Sequence, residues 1–330
     1  MRNRALVFAV LFLLLAGAAA AAFLLGRGLP PGASFRALVQ PSEKGLTRAI
    51  VWELRFPRLL LGLLVGAGLA GSGCVFQGML RNPLADPFTL GVSGGAALGA
   101  TAVMVLAPSM GPWALPAAAF LGAFVAAFLV YGAAARARFS EAALILAGVV
   151  LSFFFTSLVY LLFALARPDQ AHGALLWLMG SLAAPRRGIL LAAAPPVLIG
   201  LAALWALSRD LNALTLGDEK AQSLGVPPGR TRKILFGLAS LVTGACVAAS
   251  GVIGFVGLMI PHFLRPFTGP DHRTLLPASV IGGAALLAWS DVFARVAIPR
   301  ENLPVGVVTG LLGGLFMLVL LVRGRGFRFF

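Results

Sequence analysis

The stretch SRDLNALTLGDEKAQSLGVPPGRTRK, residues 208–233, is the longest polar interval in a chain that otherwise reads as one apolar helix after another. It carries Arg209, Asp210, Asp218, Glu219, Lys220, Arg230, Arg232 and Lys233, and Pro227-Pro228-Gly229 closes it. Residues 218–224 are helix formers, with Ala221 and Leu224 on one side of the helix and Glu219, Lys220 and Gln222 mostly elsewhere. A short helix between two membrane spans lies at the surface and can offer itself to a partner in water. A solvated loop without a partner is the plain alternative. What the rest of the chain lacks decides between them.

Of the 330 residues, 59% are apolar, only 11% are charged and 40 are glycine. No soluble domain could hide so much apolar side chain, so the chain is expected to be an all-α polytopic membrane protein. The net charge of +15 is scattered between apolar runs rather than clustered with aromatics. Positive loops that hold topology explain it better than nucleic acid does. Cys74 and Cys246 both lie inside apolar runs, and no disulfide framework or metal-ligand spacing is present.

A span needs about 20 apolar residues. On that rule the runs are 5–25, 57–80, 88–106, 113–135, 142–166, 189–207, 234–249, 252–267, 275–296 and 304–322, ten in all. The first has basic residues ahead of it and an alanine-rich end, as a signal peptide would, but it is long enough to span and reads as a retained helix. Arg2 and Arg4 at one end, and Arg323, Arg325 and Arg328 at the other, ask for the same side of the membrane, which an even number of spans satisfies. Both termini and residues 208–233 are therefore expected in the cytoplasm.

An internal repeat is visible. Gly66-Ala67-x-x-Ala70-x-Ser72-Gly73 recurs as Gly244-Ala245-x-x-Ala248-x-Ser250-Gly251, and Pro83 and Pro261 keep the same offset. Five spans separate the copies, which makes the repeats inverted, with halves at approximately 57–166 and 234–322 of a single permease domain.

Gly66-Ala67-Gly68-Leu69-Ala70-Gly71 matches a dinucleotide fingerprint, but it lies inside a membrane run with no strand before it. Close helix approach explains it. There is no G-x-x-x-x-G-K-[ST], so the chain binds no ATP through a P-loop. The spans hold almost no ionisable residues: Asp291 and Arg295, four apart, can pair on one helix face. Ion-coupled carriers usually bury a carboxylate, histidine or lysine at mid-membrane. Without one, energy must come from a partner or the protein is a passive channel, which favours the partner reading of residues 218–225. An enzyme would need paired carboxylates or a nucleophile–base set, and neither appears.

Asn82-Pro83-Leu84-Ala85-Asp86-Pro87 ends the second run and starts the third, and Gly91-Val92-Ser93-Gly94-Gly95 follows just inside the membrane. Glycine-rich backbone at membrane depth is tolerated where it lines a cavity or is buried in protein. Residues 251–262, with Gly254, Phe255, Gly257, Pro261 and His262, form the matching broken helix, His262 reading as a helix-end or loop residue rather than a ligand.

Residues 55–100, 211–226, 251–277 and 303–321 resemble the FecCD-type permease family, with N-P-L-A-D-P and G-F-x-G-L-x-x-P-H their most specific words. The likeness covers nearly the whole chain. One departure is Ser140-Glu141-Ala142, where a cobalamin relative has small hydroxyl residues near the inner gate. The family comprises membrane subunits of ATP-driven importers for iron-siderophores, haem and cobalamin. The resemblance implies ten helices in the inner membrane and a homodimer with the path between subunits. It also implies two cytoplasmic ATP-binding subunits, which bind the ATP and magnesium, and one external binding protein. It places Arg55, Arg58 and Arg295 against acidic residues of that binding protein, and Leu211, Asp218, Glu219, Ala221 and Gly225 at the ATPase joint. Asn82, Pro83, Leu84, Gly91, Ser93, Gly254, Phe255 and Gly257 fall along the path or gate. Ala221 and Gly225, four apart, are expected to leave one helix face bare for close approach, with Gly225 ending the helix in a left-handed turn.

Overall fold

A computed structural model of the protein describes residues 4–26, 29–39, 45–136, 141–183, 187–298 and 303–323. Arg2, Ser140, Arg325 and Arg328 lie outside these, so the terminal charges on which the orientation was argued are not all described. Among the described residues there is no strand. The helices in order are α1 (Arg4–Leu24), α2 (Pro31–Val39), α3 (Leu46–Ala49), α4 (Phe56–Met79), α5 (Val92–Leu106), α6 (Ala114–Arg136), α7 (Glu141–Leu165) and α8 (Pro168–Leu178). They continue as α9 (Arg187–Ala206), α10 (Ser208–Thr215), α11 (Asp218–Ser223), α12 (Pro228–Ser250), α13 (Val256–Thr268), α14 (His272–Val296) and α15 (Val305–Arg323). A π-helical turn, Ile50–Arg55, joins α3 to α4.

Eight helical stretches are long and apolar enough to cross a membrane. The other two of the ten expected runs appear as short helices, α5 with 15 residues and α13 with 13. The reason is the same in both. Each begins only after a residue in the left-handed conformation, Gly91 (φ 76°) and Phe255 (φ 68°), and the chain before it is irregular. Left-handed backbone cannot continue a right-handed helix, so the apolar run is cut at its start.

The core is built on α4, whose apolar window is 83% buried. Its glycines let other backbones come within contact: a Cβ on Gly66 would overlap the Gly283 carbonyl of α14, and one on Gly73 would overlap the Gly257 backbone of α13. This is small-residue packing, which helices in lipid depend on because apolar burial alone gives them no reason to associate. By contrast α7 and α15 turn large apolar side chains outward, among them Phe153 (72% exposed) and Leu311 (72%). Such faces need lipid or another chain against them.

The packing has an exchange relation. α4 lies on α14 and α13, and α12 lies on α6 and α5; α5 contacts α6 and α7 as α13 contacts α14 and α15. Gly66 meets α14 and Gly244 meets α6 at Ala123 and Phe120, so these two repeat glycines occupy corresponding joints. The match stops at the helices, because Pro83 lies in the irregular segment before α5 while Pro261 lies within α13. His262 is neither a helix-end nor a loop residue. It sits inside α13, buried, with its ring edge-on to Phe316 at 6.1 Å.

Candidate functional site: coupling helices, broken segments and a basic cleft

Residues 208–233 fold into α10, α11 and the first turns of α12, with Pro228 at the start of α12, where its missing N–H is no loss. Leu211 is completely buried and packs towards Gly78 of α4. Asp218 opens α11 and takes a two-pronged ion pair from Arg232 of α12, at 2.6 and 2.7 Å. The Arg81 guanidinium lies beside Gly217, 3.5 Å from where its Cβ would be. The hydrogen bonds from Arg232, with the nearby charge of Arg81 adding, hold the Asp218 carboxyl below the ordinary carboxylate range.

The placement of Ala221 differs from the expectation. It is 0% exposed, turned into the chain's own core rather than outward. Gly225 lies beyond the end of α11, in the left-handed conformation (φ 82°) with open space around it. The Val226 N–H returns to the Ala221 carbonyl at 2.9 Å, closing the helix end. The two small residues therefore do not share a bare outer face. A helix of six residues followed by a glycine turn cannot carry a face four positions long past its end. Apart from Ala221, every residue of α11 is exposed, with Glu219 and Lys220 among them, and the helix is flanked by Leu216 (55% exposed) and Leu224 (63%). Arg81 and Leu216 have no part in the sequence reading, and Leu224 and Arg232 enter it only as members of the polar stretch, without a role. An apolar leucine on each side of a charged turn was the available signal.

Asp218 supplies a pH test. Its folded pKa lies below its unfolded value, so its contribution is present above the ordinary carboxylate range and disappears as pH falls through the folded pKa. Because the Asp218 side chain is half exposed, the pair is worth only about 1 kcal/mol after solvent screening. Asp218→Asn is expected to lower the melting temperature slightly at pH 7 and to leave no difference from the parent at acid pH. Equal melting of the two chains at every pH would remove this role.

The expected path residues fall into two places. Asn82, Pro83 and Leu84 sit at the end of α4. There the Asn82 Oδ1 accepts from the Leu84 N–H at 2.9 Å, and Leu84 remains 36% exposed. Gly91 and Ser93 are buried, Gly91 against Gly148 of α7. Gly254, Phe255 and Gly257 form the start of α13, with Phe255 seated over Gly313 of α15. The two irregular segments meet through residues not singled out beforehand. Phe88 reaches Gly254, and the Asp86 carboxylate lies 2.8 Å from where a Gly257 Cβ would be, level with the Leu69 carbonyl halfway along α4. Asp86 is 5% exposed. It belongs to N-P-L-A-D-P, so that motif carries a buried carboxylate that a count of charges within the apolar runs leaves out.

Arg55, Arg58 and Arg295 do come together. They line a cleft of about 240 Å³ with Gly26, Ile50, Leu54 and Ala183. They are not free rim charges, being 5%, 9% and 7% exposed. Arg58 grips Asp291 with Nε at 2.9 and 3.1 Å and a terminal nitrogen at 2.8 Å. Arg295 pairs with Asp291 at 3.2 Å, as its spacing predicts, and donates to the Ala22 carbonyl. Arg55 donates to the Phe23 carbonyl and to Ser34 Oγ. The cluster ties α1, α2, α4 and α14 together, with Arg58 and Arg295 sharing the Asp291 carboxylate and Arg55 beside them on the Phe23 carbonyl and Ser34.

Long apolar helices packed around α4, two short broken ones among them and a polar helical pair between α9 and α12 define a multi-span membrane protein. The chain belongs to the FecCD transport family, whose model matches residues 9–323. It is 43% identical over 305 residues to the cobalamin import system permease protein BtuC of Halobacterium salinarum, covering 91% of this chain and 81% of that one. It is 41% identical over 318 residues to the Fe(3+) dicitrate transport system permease protein FecD of Escherichia coli, covering 96% and 98%. A solved structure described as an inward-facing conformation of a metal-chelate type ABC transporter superposes with a TM-score of 0.85 at 33% identity, over 97% of this chain and all of that one.

Proposed function

We propose that this chain is the membrane permease subunit of an ATP-binding-cassette importer that moves a bulky metal chelate, an iron-siderophore first, into the cytoplasm. It acts as a homodimer in the inner membrane with both termini inside. Two cytoplasmic ATPase subunits bind the ATP and magnesium, and one external binding protein delivers the cargo. The chain itself catalyses nothing and holds no cofactor. The observation that supports this best is the α10–α11 seat. It is a rigid, ion-paired element with two exposed leucines, attached to α4 and α12, in a chain with no nucleotide motif of its own.

In this reading Leu216, Leu224 and Glu219 meet the ATPase, while Leu211, Ala221 and Asp218 hold the seat to the bundle. Leu84 and Asn82, with their mates in a second copy, make an inner constriction that has no fixed charge. Gly91, Ser93 and the 254–257 segment shape the wall behind it. The Arg55–Arg58–Arg295 cleft receives carboxylates of the binding protein. Haem and cobalamin are the alternatives for the cargo.

The test is ATP-driven uptake by the complex in sealed proteoliposomes without an ion gradient, with ferric siderophores, haem and cobalamin offered singly and in competition. Uptake of a ferric siderophore that the other two do not compete away is expected. Uptake driven by a proton or sodium gradient without ATP contradicts the class, and preference for cobalamin or haem contradicts the cargo. Leu216→Arg with Leu224→Arg is expected to cut co-purification of the ATPase at least tenfold. Unchanged co-purification moves the joint elsewhere.

A further inference from the structure

Motion delivered to α11 can pass straight to α12 through the Asp218–Arg232 pair, and through α10 it meets a second polar junction, at the start of α14. α10 packs on α4, α9, α11, α12 and α14, so it is the hub between the seat and the bundle. On it, Asn212 uses its whole amide on the start of α14. Its Nδ2 donates to Asp271 Oδ1 at 2.7 Å, and its Oδ1 accepts from the His272 backbone N–H at 2.9 Å and meets His272 Nδ1 at 2.7 Å. An amide oxygen only accepts, so the ring proton is on Nδ1 and Nε2 is bare. Asp271 is also the N-cap of α14, accepting from the Arg273 N–H at 3.0 Å.

The His272 ring continues the line into α4. It is 1% exposed, and it fills the notch left by Gly78, where a Cβ would lie 2.5 Å from Nε2 and 3.1 Å from Leu211 Cδ1. Among the described residues Nε2 has no hydrogen-bond partner, so among them the ring is held by hydrogen bonds only from its Asn212 side. Gly78 lies one turn before Asn82 on the same strand of chain that leads to Leu84.

We infer that Asn212 is the positioning residue that makes α10, the first turn of α14 and the inner end of α4 move as one body, so that displacement of the seat is delivered to the Asn82–Leu84 segment. This rests on the proposed coupling to an external ATPase. Letting α10 slide past α14 strands buried donors and acceptors without partners, which opposes the slip. Loss of the amide pair uncouples the two ends without removing the seat.

The test exploits a donor–acceptor swap. Asn212→Asp places two carboxylates against each other. Adding Asp271→Asn restores a donor against the new carboxylate once its amide turns Nδ2 towards position 212. The parent uses one atom, Asp271 Oδ1, both for this pair and to cap the Arg273 N–H, so the swap gives up that cap bond and Asp271→Asn alone serves as its control. Leu84→Cys serves as the reporter, because Cys74 and Cys246 are fully buried and stay silent to a soluble maleimide. Labelling rates are measured in nanodiscs on the complex with its ATPase, with and without Mg-ATP and vanadate. In the otherwise unmodified chain nucleotide is expected to change the rate at least fivefold. Asn212→Asp is expected to keep the ATPase bound but reduce that change to less than twofold, and the double variant to regain it.

A full nucleotide response in Asn212→Asp overturns the inference. So does a loss that the double variant does not repair while both variants melt like the parent, because that places the effect outside the amide pair. A parent complex that assembles no ATPase, or shows no nucleotide response, overturns the proposed function and this inference with it.

Discussion

Gly66→Leu is expected to yield no monodisperse protein from detergent extracts, whereas Gly132→Leu is expected to purify like the parent. The Gly66 Cα faces the Gly283 carbonyl, and a Cβ there would overlap that carbonyl with Leu287 close behind, just as a Cβ on Gly283 would overlap the Gly66 carbonyl. Overpacking normally costs about 1–3 kcal/mol because neighbouring side chains yield. Here the obstacle is the main chain of α14, which cannot yield without opening the helix pair that forms the centre of the bundle, so the cost belongs to the exceptional class above about 4 kcal/mol. Gly132, on α6, has nothing within 4 Å of its Cβ position. Size-exclusion profiles and thermal melts of the two variants check this. A well-behaved Gly66→Leu protein would mean that α4 and α14 do not touch as described.

Removing the Arg58 side chain has the second large effect, and it falls on folding before it falls on docking. Asp291 is 4% exposed and depends on Arg58 and Arg295 together. Arg58→Ala leaves a buried carboxylate short of its main partner, which costs about 3–5 kcal/mol. Arg58→Glu sets like charges together and costs at least as much. The triple variant Arg58→Met, Asp291→Leu, Arg295→Met removes the three ion-paired members and keeps Arg55, and apolar replacement of a whole buried ion-paired set is often neutral or better. The expected pattern in thermal melts is a deep loss for Arg58→Ala and recovery in the triple variant, which has only Arg55 left in the cleft to offer an acidic partner. If Arg58→Ala melts like the parent while losing the proposed binding protein, the arginine acts in docking and not in folding.

The eight long spans and the polar interval between α9 and α12 were legible from run length, because lipid asks for a long apolar run from any helix that crosses it, whereas the expected ten holds only approximately. The breaks at Gly91 and Phe255 were only half legible. A glycine beside prolines announces irregular backbone, but nothing in the sequence marks Phe255 as left-handed. That conformation is held by its ring lying over Gly313, nearly sixty residues on. The outward face of α11 was misread for a similar reason. Ala221 and Gly225 are four apart, and the spacing argument holds only if the helix continues, yet Gly225 is where the chain turns. Arg55, Arg58 and Arg295 were legible as a group, but not as a buried one, since Asp291 joins Arg58 only across more than two hundred residues of sequence. Asn212 and His272 carry no motif at all. They are an ordinary amide and an ordinary histidine until α10 and the start of α14 are brought side by side.

The crossed packing of the two halves sets a timetable for synthesis. α4 has its main contacts on α14, α12, α13 and α9, all of which are made after it, and none of comparable extent on α5, α6 or α7, which directly follow it. At roughly 5–20 residues per second, the interval from Met79 to the end of α14 is roughly 10–40 s. Until α9 is made, the glycine-lined face of α4 has no extensive mate from its own chain, and its Gly66 joint stays open until α14 arrives. A nascent permease must therefore be held near the insertion machinery, or shielded by some other helix, until its second half arrives. A chain truncated after α7 should be recognised as unfinished and degraded rather than accumulate as a stable half-bundle.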